Sequence, residues 1–250
     1  MNPTEQYLHD RDEQAKRNRK DKQIKTDVVA FMDTVHRTNY VKNFAWMGRP
    51  ILQLPQDMIA MQEIIWEAQP DLIIETGVAF GGSMVFYASI LEAIGGQGQV
   101  IAIDIDIREH NRAELSEHPL CKRFVMLSGS STDDNIIKQV KRFIREAGAT
   151  KILVALDSNH THEHVLRELE LYAPLVSLDS YIVVFDTSVE YLDPKYIPEG
   201  RPWGKGNNPM TAVREFMKGN FEFKADTYIE NRILLTSAVG GWLKRIKEVT

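Results

Sequence analysis

The stretch DLIIETGVAFGGSMVFYA, residues 71–88, begins as a buried strand and ends as a helix, with Glu75 and three glycines in the turn between them. The segments on either side of it repeat the alternation. Upstream, LPQDMIAMQEIIWEAQP (54–70) sets Met58, Met61, Ile65 and Ala68 at helical spacing, with Asp57 as an N-cap candidate and Pro70 as the stop. Downstream, helices over Gly82 to Ile94, Arg108 to Glu117, Asp134 to Ala147 and Thr161 to Tyr172 separate the strand runs VIAIDID, RFVMLSG, KILVALDS and SYIVVFDT. Near-continuous apolar strands divided by helices predict a mostly parallel sheet covered on both faces, a Rossmann-like doubly wound α/β fold. The ending departs from this pattern. FEFKAD (221–226) and RILLTSAVGGWLKR (232–245) are two strand-like runs with a short connection, which predicts an antiparallel hairpin at the C-terminal end of the sheet.

Composition bounds the rest. A chain of 250 residues with 43% hydrophobic content suits one substantial α/β core, and no repeat or Gly/Ser linker interrupts it. The formal charge of -5 leaves no general basic field, so nucleic acid is not an expected partner. No apolar leader or bilayer-length run is visible, and the expectation is a soluble, cytoplasmic protein without a membrane partner. The lone cysteine, Cys121, reads as a half-buried strand residue. Residues 1–43, whose first twenty or so are densely charged, read as a solvated helix or frayed arm preceding a main domain over 44–250.

Ligands of a doubly wound sheet collect at the carboxyl ends of its strands. Here those ends are Glu75-Thr76-Gly77, Asp104-Ile105-Asp106, Ser128-Gly129-Ser130-Ser131, Asp157-Ser158-Asn159-His160 and Asp186-Thr187. Four of them carry a carboxylate, more than strands need merely to exit to solvent. Gly77, Ala79, Gly81 and Gly82 form a turn that brings the backbone close to a ligand, and the helix after it begins at Gly82-Ser83. The spacing is not the dinucleotide G-x-G-x-x-G, and Glu75 places negative charge where a pyrophosphate would lie. A carboxylate there suits an ammonium or sulfonium ligand. Together the ends suggest S-adenosylmethionine, with Glu75 near its amino-acid end, Gly77, Ala79, Gly81 and Ser83 along the methionine portion, Asp104 on the ribose and Ser131 near the adenine.

Four stretches carry a family resemblance: WMGRPILQLPQDMIAMQEIIWEAQPDLIIETGVAFGGS, VIAIDIDIREHNR, LDSNHTHEHVLRELELYAPLV and RPWGKGNNPMTAVREF. From about Phe44 onward the chain resembles the cephalosporin hydroxylase and rhamnosyl O-methyltransferase family. The resemblance implies a class I methyltransferase domain, S-adenosylmethionine as methyl donor, Mg²⁺ beside the acceptor hydroxyl and a homo-oligomer. It also implies a small-molecule acceptor such as an antibiotic scaffold or its sugar. By the same resemblance Asp157 lies at the cofactor and metal, His160 is the general base, and Asp157 and Asp186 are the metal carboxylates. A further acidic ligand is expected just before Asp186, where this chain has Phe185; the Thr187 hydroxyl or water is the expected replacement.

Residue chemistry keeps other readings beside these. His160 and His164 stand four apart, a spacing that would suit zinc on one helix face, although no Glu follows His160 directly and no cysteine is near. His162 and His164 otherwise simply cover their helix. Trp46, Met47, Tyr191 and Trp203 are candidates for the acceptor pocket or for core packing. YLDPKYIPEGRPWGKGNNPM (191–210) has the glycines and prolines of a long loop and is expected to form a lid. A nicotinamide-dependent oxidoreductase and a non-catalytic protein of the same fold are the alternative functions.

Overall fold

The computed structural model describes residues 1–247, so the last three residues of the expected 44–250 domain lie outside the described residues. Two helices come first, α1 (Pro3–Lys20) and α2 (Lys22–Arg37), followed by the minimal hairpin β1 (Ala45–Trp46) and β2 (Arg49–Pro50). The alternating part runs α3 (Pro55–Ala68), β3 (Leu72–Thr76), α4 (Gly82–Ile94), β4 (Gln99–Asp104), α5 (Glu109–Ser116), β5 (Phe124–Ser128), α6 (Asp134–Ala147), β6 (Ile152–Leu156), α7 (His162–Tyr172) and β7 (Tyr181–Val184). The chain then adds α8 (Pro209–Gly219), β8 (Phe223–Ala225), α9 (Thr227–Ile233) and β9 (Trp242–Arg245).

The main sheet has seven strands in the order β5-β4-β3-β6-β7-β9-β8. β3 to β7 pair in parallel, while β9 runs antiparallel to both β7 and β8. Strand periodicity of two divides the core cleanly. Ile73, Val100, Ala102, Leu153, Ala155 and Val183 face one way, into a cluster with α3 and α4. Leu72, Ile74, Ile101, Ile103, Val154 and Ile182 face the other, against α6, α7 and α8. Such two-sided burial is why these strands read as unbroken apolar runs. The order reverses between β3 and β6, which opens a crevice at their carboxyl ends.

Three expectations are corrected. The C-terminal strands pair, but α9 stands between β8 and β9, and of the run 232–245 only Trp242–Arg245 is strand. Asp57 does not cap α3, whose N-cap is Leu54; its buried carboxylate accepts hydrogen bonds from the Ser237 amide (2.8 Å) and hydroxyl (2.9 Å). Cys121 is exposed in a short 3₁₀ turn ahead of β5. Of the two expected forms the charged N-terminal segment takes the mostly exposed helix, and its Asn18 and Asp12 hydrogen-bond Asn231 and Tyr228 on α9. From α2, Met32 and Val35 pack with Leu54, Val189, Leu192 and Leu235. That contact roofs the crevice.

Candidate active site

The carboxyl ends of β3, β4 and β6, the turns that follow them and the inner face of α2 enclose a cleft of about 520 Å³. Its floor is the glycine turn after β3. Gly77 has φ +91°, and a Cβ there would sit 2.1 Å from the Asp157 carbonyl oxygen. A Cβ on Gly82 would sit 2.2 Å from the Pro50 carbonyl oxygen. Gly81, at φ +81°, forms the N-cap of α4 and packs on Leu115 instead of lining the cleft. Gly77→Ala is therefore expected to cost more than about 2 kcal/mol, from left-handed strain and backbone overlap, measured as a lowered urea midpoint; an unchanged midpoint would contradict the required approach.

Glu75 lies beneath the turn, 1% exposed, with Oε2 lacking a hydrogen-bond partner. Burial raises its pKa from the usual 4.5 to about 8, against a lowering hydrogen bond from Ser83 and with a further rise from Asp104. A buried carboxyl with an unfilled acceptor is a place for a cation or an ammonium hydrogen. Asp104 does more than face the cleft. Its Oδ2 accepts from the amides of Val78 (2.7 Å) and Ala79 (3.3 Å), and its Oδ1 from Asp106 (3.0 Å), so it ties the turn to β4. Arg49 ties the same turn from the far side. Its guanidinium donates to the Phe80 carbonyl at 3.0 and 2.8 Å and to Asn111 at 2.9 Å, and it pairs with Glu114, while Asn111 donates to the Ala79 carbonyl at 3.0 Å. Arg49 and Asn111 are both buried, and their roles had no signal in local spacing because they meet only across the fold.

At the cleft mouth Asp157, His160 and Asp186 bring one ligand atom each within 4.8 Å of one another. His160 Nε2 is 3.3 Å from Asp186 Oδ2, and its ring meets Trp203 edge to face at 5.4 Å. Burial and the neighbouring carboxylates, Asp186 first and Glu75 next, push the Asp157 carboxyl well above its usual range. A like-charged pair of this kind calls for a cation between its members. Thr187, next to Asp186, is fully buried and donates to the Ser237 carbonyl at 3.1 Å. His164 is not part of the group, so the paired-histidine zinc arrangement is absent among the described residues. His162 turns to α8, where Thr211 and Glu215 meet its ring nitrogens.

The aromatic candidates separate. Trp203, from the 191–210 loop, lies at His160, and Arg201 beside it lines the cleft. Trp46 packs on Phe86 and donates to Ser89, and Met47 is largely exposed. The Tyr191 hydroxyl receives a hydrogen bond from Arg214. His36 of α2, which the sequence did not single out, also lines the cleft. Burial lowers its pKa, against opposing pulls from Asp186 and Asp33.

A doubly wound sheet ending in two antiparallel strands, with a glycine turn over a buried glutamate and acidic groups on successive strand ends, has the architecture of a Rossmann-like methyltransferase. Solved structures share the fold. A CmcI structure with Mg and SAM aligns at a TM-score of 0.57 and 19% identity, covering 82% of this chain and 78% of that one. The O-methyltransferase from Bacillus cereus in complex with SAH aligns at 0.50 and 13% identity, covering 79% and 81%. The Rhamnosyl O-methyltransferase/CmcI family profile matches residues 38–246, and the chain belongs to that family. It is 34% identical over 220 residues to the Rhamnosyl O-methyltransferase of Mycobacterium bovis (82% of each chain). With that of Mycobacterium leprae it shares 32% over 215 residues (83% and 86%). The chain is thus an O-methyltransferase, and the oxidoreductase and non-catalytic alternatives give way.

Proposed function

We propose that this enzyme transfers the methyl group of S-adenosylmethionine to a hydroxyl of a small natural product or its sugar. The grouping of Asp157, His160 and Asp186 at one end of a cleft whose other end is the glycine turn over Glu75 carries the reading. S-adenosylmethionine, when bound, supplies an electrophilic sulfonium methyl. The residues present fit it: the unfilled Glu75 oxygen can take the ammonium, and the turn leaves no side chain at Gly77 or Gly82 to obstruct the amino-acid portion. Asp104 retains acceptor capacity for ribose hydroxyls, and Ser131 offers a hydroxyl to the purine.

The donor set at the mouth fits a hard divalent cation such as Mg²⁺, which Asp157 and Asp186 would hold and which would favour the deprotonated acceptor hydroxyl. His160 accepts the hydroxyl proton, its ring oriented by Asp186 on one side and Trp203 on the other. Met32 and Val35 of α2 with Trp203 exclude water from the acceptor side, and the cleft as a whole supplies proximity and alignment. Cytoplasmic location and homo-oligomeric assembly belong to the same proposal; Ile59 and Trp66, each 56% exposed on α3, offer apolar surface to a second copy.

The decisive experiment is incubation with deuteromethyl-labelled S-adenosylmethionine and hydroxylated glycosides and antibiotic scaffolds, read by mass spectrometry. Labelled product on an oxygen supports the reading; no binding of S-adenosylhomocysteine and no transfer would reject it. Glu75 adds a pH signature. An ammonium bound against it favours the ionised form, so affinity for S-adenosylhomocysteine is expected to rise with pH up to about 8. At neutral pH, binding should release a proton, visible as a calorimetric enthalpy that depends on buffer. The ligand-free protein is expected to show the opposite trend: with a raised folded pKa, the contribution of Glu75 to stability falls as pH climbs from the usual 4.5 towards about 8.

A further inference from the structure

α7 presents three polar side chains one helical turn apart towards the loop after β5: His164, Glu168 and Tyr172. Two of them meet Ser131 directly, and the third reaches it through His164 and Ser158. The Tyr172 hydroxyl donates to the Ser131 carbonyl at 2.8 Å, and His164 Nε2 meets the Ser131 hydroxyl at 3.0 Å. Glu168, at 0% exposure, lies behind them and receives the Ser158 hydroxyl on Oε1 at 2.7 Å.

Counting hydrogens gives this network a direction. The Glu168 carboxylate only accepts, so the one hydrogen of the Ser158 hydroxyl is committed to it. Ser158 Oγ is also 3.2 Å from His164 Nε2, and that contact then requires the nitrogen to carry the hydrogen. The same N–H is shared with Ser131 Oγ, which receives it. The Ser131 hydrogen is left over, and Ser131 lines the cleft. The trio is not a nucleophile relay: Ser131 and Glu168 both meet Nε2, whereas a relay needs the acid on the opposite ring nitrogen.

We propose that His164 and Glu168 are positioning residues that hold the Ser131 hydroxyl as a hydrogen-bond donor to a ring nitrogen of the cofactor's purine. This rests on the reading above that the adenine lies against Ser131. The network sets which side of the purine is read, because a donor at Ser131 rewards a ring-nitrogen acceptor and gains nothing from the exocyclic amine.

The test is calorimetric binding of S-adenosylhomocysteine and of its three analogues in which one of the purine nitrogens N1, N3 and N7 at a time is replaced by C–H. Wild type is expected to bind one analogue about 5–20-fold more weakly than the parent, as for one lost neutral hydrogen bond. Ser131→Ala and His164→Ala should bind the parent more weakly by a similar factor and no longer distinguish it from that analogue. His164→Gln, whose amide N–H reaches the place of Nε2–H, should retain the discrimination. A merely structural role would weaken all four ligands together and keep their ratios, which overturns the proposal. So would a wild type indifferent to all three replacements. A wild type that binds none of the four rejects the cofactor reading and this proposal with it.

Discussion

His160→Ala is expected to lower turnover by about 10²–10⁴-fold, the range for a removed general base, while leaving affinity for S-adenosylhomocysteine unchanged. His160 stands after β6 and before α7, between Asp186 and the edge of Trp203, at the cleft mouth and away from the glycine turn. Removing it therefore takes away a proton acceptor without touching Glu75 or Asp104. His160→Gln sharpens the test, since an amide can keep a hydrogen bond to Asp186 but cannot take up the proton. Equal loss in both variants supports the base; near-normal turnover in His160→Gln would make the ring a spacer only. A third outcome, full activity in His160→Ala with loss in His36→Ala, would move the role to the imidazole on α2.

The sheet and its strand ends were legible because both obey local rules. Ile73 and Ile74, or Val183 and Val184, are apolar in succession since each faces a covered side of the sheet, and the polar residue after each run marks where the cleft begins. Long-range pairing left no such trace. Arg49 and Asn111 brace the glycine turn from separate hairpin and helix positions, and neither has a neighbour in sequence that hints at it. The roof formed by α2 was hidden for the same reason: only Leu54, Val189 and Leu235, far along the chain, show what Met32 and Val35 cover. Asp57 shows a local rule losing. A carboxylate in the first turn of a helix suits a cap or the dipole, yet the Ser237 loop takes it instead and α3 starts earlier, at Pro55. The helical end of RILL likewise overrode its β-like composition, because Asp226 caps α9 by accepting from the Tyr228 amide.

Exhaustive chelation is expected to reduce turnover, and added Mg²⁺ to restore it, with Asp157 and Asp186 as the charged ligands. The position where a third carboxylate would be expected is held by an aromatic that borders the cleft and packs into the core beside it. Phe185 is 2% exposed and packs edge to face on Trp242 at 6.1 Å, in the cluster that also holds Tyr181 and Val183. Phe185→Glu would place a charge in that packing and remove an aromatic contact, so a loss of about 3–5 kcal/mol is expected. The Thr187 hydroxyl gives its hydrogen to the Ser237 carbonyl, which leaves its oxygen lone pairs for a cation. With two carboxylates the cation keeps more of its water, and Mg²⁺ tolerates this. Asp186→Asn removes half of the anionic charge while keeping the side chain's shape. It should weaken Mn²⁺ binding, followed by electron paramagnetic resonance, and depress turnover in parallel. Undiminished turnover after chelation, together with unchanged Mn²⁺ binding in Asp186→Asn, would remove the metal from this site. Asp157 would then be left to orient the acceptor by hydrogen bonding and His160 to act alone. A Phe185→Glu protein of unaltered stability that bound Mg²⁺ more tightly would instead mean that the side chain turns into the cleft and rebuilds a three-carboxylate site.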